Sequence, residues 1–185
     1  MPPANSQDLG LRLDLVVPVA FRRLGSPLEE AGAAASLGCN LRVFQACDLL
    51  GERQPSSRTD IDPSVLMELR RIDLKMTLML DLLADLLAES HPPPPAAQIV
   101  LDSRGLDWLD APVGVQVGDR GLIEVFIQAG VPRPLRFVGR VEAATEPSHR
   151  RIEFDPLPEA EADQLERLIF RRHRQKIAGS RGLQD

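Results

Sequence analysis

The chain has 185 residues, 43% hydrophobic and 26% charged, with a formal net charge of -5. No apolar run approaches the roughly 18 residues that a membrane-spanning helix needs, and an acidic balance with one Trp and no Tyr disfavours a nucleic-acid surface, so no DNA partner and no membrane span are expected. Cys39 and Cys47 lie eight apart, a spacing that suits neither a CxxC redox pair nor a usual zinc site, and they read as buried or idle thiols.

Met1 to Gly10 lacks the basic start and apolar stretch of a signal peptide, which points to a cytoplasmic protein. Leu11 to Phe21, LRLDLVVPVAF, alternates and then turns β-branched; it predicts a strand, with Pro18 hinting at an edge or bulge. Ser26, Pro27, Glu29 and Glu30 form a helix start with an N-cap, a proline and a capping carboxylate. The helical course to Leu50 is weakened at Gly32 and Gly38 and restored by Leu41, Phe44 and Cys47; Gly51 to Arg58 reads as a polar loop.

Next comes the strongest periodicity in the chain. Val65, Leu69, Ile72, Met76, Met79, Leu83 and Leu86 alternate by four and three, the spacing of a heptad seam. Asp62 as N-cap, Pro63 at the first helical position and the prolines after His91 bound a helix over 63–89. Leu66, Leu80 and Leu87 widen the stripe beyond a two-stranded zipper, so the helix is expected to drive assembly. Asp73, Asp81 and Asp85 read as solvated positions, and Arg70 and Arg71 as flanking or surface-paired cations.

After the proline joint the period changes. Short strands are predicted at 97–101, 106–109, 121–128, 135–144 and 150–155, divided by turns at regular intervals, as in a small antiparallel barrel or sandwich. A last helix over 158–178 buries Leu165, Leu168, Ile169 and Ile177. Residues 1–132 hold 11 basic and 18 acidic side chains and residues 133–185 hold 11 and 9, so the basic surplus is C-terminal, in Arg171, Arg172, Arg174, Lys176 and Arg181.

Chemistry is scarce. His91, His149 and His173 have no Cys or carboxylate at metal-ligand spacing, and no Walker, GxGxxG or GxSxG pattern occurs. The expectation is no enzyme, no metal and no cofactor.

The strand-turn-strand QIVLDSRGLDWL, the glycine-bounded GLIEVFI, the strands FVGRV and RRIEF, and the helix LERLIFRRHRQ follow one another in an order that resembles the PilZ domain. That domain is a six-stranded β-barrel that bacteria use as a receptor or adaptor in cyclic di-GMP signalling. The resemblance implies an α+β fold in one domain over 1–185: Leu11 to Phe21 as first strand, 26–90 as a helical insertion with the heptad helix, 97–155 as the remaining antiparallel barrel and 158–178 as C-terminal helix. A leucine-rich insertion looks like the atypical PilZ family, whose members assemble as tetramers, and so implies a homotetramer through the seam.

Ordinary PilZ domains hold cyclic di-GMP with RxxxR before the first strand and [D/N]xSxxG after the second, where guanidinium groups contact phosphate or guanine in two-pronged fashion. No arginine precedes Leu11 here, and with Ser103 aligned, Leu101 and Leu106 stand where the acid and the last glycine belong. Asp102 is displaced by one residue. Lost charge-assisted bonds of about 1.5–3 kcal/mol each put standard-mode binding in question. The candidate nucleotide-binding residues are therefore Asp102, Ser103, Arg104 and Gly105 of the turn, with Arg171, Arg172 and Arg174 as a phosphate-binding group; the downstream protein partner is not identifiable.

Overall fold

The computed structural model describes residues 11–26, 28–29, 31–33, 38–51, 62–90, 92–128, 130–144 and 148–181. Six strands, β1 (Leu13–Arg23), β2 (Ala96–Leu101), β3 (Gly105–Trp108), β4 (Arg120–Val125), β5 (Leu135–Ala143) and β6 (Arg150–Phe154), form a closed antiparallel barrel in the order β1-β2-β3-β6-β5-β4. Three helices accompany it: α1 (Asn40–Gly51), α2 (Pro63–Ser90) and α3 (Glu159–Arg181). Residues 28–29 and 31–33 are also helical.

β1 closes the barrel because it serves two neighbours. Leu13 to Pro18 pair with β2, and Val19 to Arg23 pair with β4. Pro18, which lacks an N–H, sits at the change of partner, while its carbonyl accepts from Phe126 N at 3.0 Å. The hint of an edge is corrected accordingly: a closed barrel has none, and the proline marks a crossover. The strand also runs two residues past the predicted Phe21, because Arg22 and Arg23 keep the backbone ladder to Leu122 and Gly121 while their side chains stay exposed. β4 ends at Val125, short of the predicted Gln128, just where β1 changes partner.

Alternate residues point inward and meet α1 and α3. Ile99, Leu106, Ile123, Phe137 and Ile152 are fully buried with Phe44 of α1 and Leu165 of α3 in one core. Phe137 and Phe154 stack with ring centroids 4.2 Å apart. On the opposite face of β4 and β5, Leu122 and Val138 bury with Leu24 and Ala33. The predicted capping box closes that helix start: Ser26 Oγ accepts from Glu29 N at 3.3 Å, and Glu29 Oε2 accepts from Ser26 N at 3.2 Å.

A polar clasp ties the insertion to the barrel. Asn40 at the start of α1 is 0% exposed; its Nδ2 donates to the Arg136 carbonyl and to Glu161 Oε2, both at 2.8 Å, and its Oδ1 accepts from Arg136 N at 2.8 Å. One amide thereby joins α1, β5 and α3, and satisfies a Glu161 that is 3% exposed.

α2 is different. Asp62 caps it, accepting from Ser64 N at 2.8 Å and Ser64 Oγ at 2.6 Å, as the Asp62-Pro63 pair implies. Pro92 to Pro95 then lead into β2, where the Pro95 carbonyl accepts from Val19 N at 3.4 Å. Along α2 every described side chain except the half-buried Ala84 is exposed, including all seven seam residues at 47–63%. Arg71 forms the expected surface pair with Glu68, at 3.7 Å.

Candidate functional site

β2 and β3 pair up to Leu101 and Leu106, so four residues, Asp102 to Gly105, must reverse the chain. Asp102 organises them. Its Oδ1 accepts from the backbone N–H of Arg104 and of Gly105, both at 2.9 Å, while Asp102 N donates to the Gly105 carbonyl at 2.9 Å. Gly105 is required by close approach: a Cβ there would collide with the Ile152 carbonyl of β6.

The same carboxylate meets β6 from the side. Pairing of β3 with β6 sets Asp107 opposite Arg151, and the Arg151 guanidinium reaches back to the turn. Its Nη1 donates to Asp102 Oδ2 at 2.8 Å and its Nη2 to Asp102 Oδ1 at 2.9 Å, a two-pronged bond. Asp107 lies 3.5 Å from Arg151 and takes a 2.5 Å bond from Arg12 on its other oxygen, so the charges run Arg12, Asp107, Arg151, Asp102. Burial works against ionising Asp102, yet the Arg151 bond and the turn N–H groups prevail and hold its carboxyl below the usual range. Burial likewise opposes the Arg151 charge, and Asp102 outweighs it and raises the guanidinium pKa.

Ser103 and Arg104 line a cavity of about 170 Å³ with Glu153, Phe154, Asp155, Pro156, Leu157 and Ala162. Arg104 brings a cation to it and Glu153 and Asp155 bring carboxylates, though Asp155 is engaged by Arg120 at 2.5 Å.

The basic group on α3 lies elsewhere. Arg171 bonds Asp48 of α1, Arg172 bonds Gln128 beyond β4 at 2.5 Å, and Arg174 stands 5.7 Å from the Phe170 ring. Lys176 reaches Asp14 of β1 at 2.7 Å. Burial lowers the Arg172 pKa and raises that of the neighbouring Cys47 thiol. From Ala162 at the cavity to Arg171 the helix rises about 13 Å, so the turn residues and the α3 arginines do not converge on one surface. Residues 182–185 and the side chains of Ile177 and Arg181 fall outside what the structure describes, as does His91.

Arg151, Arg12, Asn40 and Glu161 are absent from the candidates read off the sequence. Nothing local singles out Arg151 from Arg150, since only the register between β3 and β6 brings it beside Asp107 and within reach of Asp102. Among the described residues no cluster of His, Cys, Asp or Glu could hold a metal ion, and no helix is long and apolar enough to cross a membrane.

A family model described as atypical PilZ domain, cyclic di-GMP receptor, matches residues 45–182. A solved structure is similar to the chain with a TM-score of 0.63 and 25% identity, over 91% of each chain. It is a pathogenic protein from Xanthomonas campestris, described as a new tetrameric PilZ domain self-assembled via an unusual helical bundle. No curated protein matches the chain.

Proposed function

Because this chain belongs to the atypical PilZ domain family, we propose that it serves cyclic di-GMP signalling as a receptor or adaptor, without catalysing a reaction, as a homotetramer joined through α2. The observation that carries this reading is the seam. Val65, Leu69, Ile72, Met76, Met79, Leu83 and Leu86 stay half-exposed or more on a well-capped helix, a surface that water disfavours and a bundle would cover. At roughly 25 cal/mol per Å², burying the remaining apolar area of seven such side chains on each protomer contributes several kcal/mol, enough to offset a substantial part of the association cost. The tetrameric helical bundle of the similar Xanthomonas protein supports the same arrangement.

Sedimentation equilibrium tests it. The expected result is a species no smaller than a tetramer whose tetramer is lost in the Met76→Glu, Leu83→Glu double variant; a monomeric wild type, or a double variant that stays tetrameric, overturns the seam.

A second reading, an interaction module that binds no cyclic di-GMP, is favoured by the Asp102 carboxylate, whose two oxygens are taken by Arg151 and the turn. Calorimetry separates the two. Saturable micromolar heat that disappears in Arg104→Ala or in the Arg171→Ala, Arg172→Ala, Arg174→Ala triple variant identifies a receptor with Ser103 to Gly105 or the α3 arginines as contacts. Silence at high nucleotide concentration identifies the adaptor.

A further inference from the structure

The seam does not account for all the apolar surface of α2. Met67, Leu74, Leu78 and Leu82 are exposed at 59–71%. With 3.6 residues per turn they fall on one stripe, in which Met67, Leu74 and Leu78 lie on the side of the helix away from the seam and Leu82 lies at the edge between the two. A bundle closed through the seam would leave Met67, Leu74 and Leu78 in water.

Its charges are polarised along the axis. Arg70, Arg71 and Lys75 accompany the N-terminal half of the stripe, and Asp81, Asp85 and Glu89 the C-terminal half. Glu68 and Asp73, the acids of the first half, lie nearer the seam. Two copies laid parallel along the stripe would bring like charges together at every level. Laid antiparallel with Leu78 on the two-fold axis, Leu74 of one copy faces Leu82 of the other and Arg71 faces Asp85, with Arg70 and Glu89 within a turn. The weak pair of Arg71 with Glu68 does not hold it back, because both groups are exposed. Since β2 follows the C-terminal end of α2, this alignment also sends the two barrels to opposite ends.

We infer that the outer stripe of α2 is a second self-association surface that takes the same stripe of another copy in antiparallel register about Leu78, independently of the seam.

Cysteine cross-linking tests the register on the full chain, with wild type as the control for Cys39 and Cys47. Oxidised Leu78→Cys is expected to form a covalent dimer, whereas Met67→Cys is not, because the register separates the two copies of residue 67 by about 33 Å along the helix. In the Leu78→Cys background, reversing Arg70 and Arg71 to Glu, or Asp85 and Glu89 to Lys, is expected to reduce dimer yield at least about tenfold, and combining all four reversals to restore it. Equal cross-linking at 67 and 78 overturns the antiparallel register. Absence of cross-linking at both overturns self-association and leaves the stripe to a different protein.

Discussion

The barrel and α2 solve the same physical problem in opposite ways. In the barrel and the helix that packs on it, inward side chains find their cover within the chain: Phe137 stacks on Phe154, Ile99 and Ile152 are fully enclosed, and the buried carboxylate of Glu161 in α3 is bonded by Asn40. In α2 the local rules are met as well, with a cap, a heptad pattern and strong helix formers, yet its leucines and methionines find no cover within their own chain. Good local structure and good burial are therefore separate achievements. The first needs only neighbours in sequence; the second needs another surface.

That contrast can be broken by substitutions that move stability and assembly apart. The largest effect belongs to the barrel: Phe137→Ala removes a fully buried ring and is expected to cost about 3–5 kcal/mol, read as a lower urea midpoint. Leu78→Ala on α2, where the ring of neighbours is missing, is expected to shift the barrel midpoint by less than about 0.5 kcal/mol. A comparable loss from both sites, measured at a concentration where the chain is monomeric, would mean that α2 is packed within its own chain.

Next in size is the clasp. Asn40→Ala strips partners from the buried Glu161 and from Arg136 N, and is expected to cost about 2–3 kcal/mol by denaturation while leaving the helix content of α2 intact. An unchanged midpoint would separate the insertion from the barrel energetically.

The smallest effect concerns acid. Asp102 has its pKa lowered in the fold, so the stability it contributes is present above the ordinary Asp range and is lost as pH falls through its folded value. Arg151→Met should remove about 1 kcal/mol near neutrality and flatten the decline below the ordinary Asp range, because the carboxylate has lost the cation that favours its charge. Denaturation curves at neutral and acid pH measure both, and an unchanged slope would mean that the turn N–H groups alone set the shift.

Much of this architecture is legible in one dimension. The heptad spacing marks α2 to within one residue, alternation marks the strands, and Ser26 to Glu29 announces its capping box. These are features of neighbours three or four residues apart. What escapes the sequence depends on register between distant segments. Arg22 and Arg23 look like the end of a strand because their side chains are polar, although the ladder to β4 continues beneath them. Asp102 looks displaced from a ligand motif; its bonds to Arg104 N and Gly105 N are local to the turn, but only pairing across 49 positions brings Arg151 to it. Asn40 looks like any polar residue near a glycine, yet it answers Glu161, 121 positions away. The α3 arginines look like a free cationic patch; Asp48 and Gln128 take two of them once α3 crosses α1.

Between the two contrasted regions stand Pro92 to Pro95, whose last carbonyl is already bonded to β1. Four successive pyrrolidine rings fix four φ angles and form a semi-rigid spacer of about 12 Å that resists both shortening and coiling. Such a spacer works as a lever arm rather than a tether. A tilt of the barrel would be passed along all four of these residues instead of being absorbed among them.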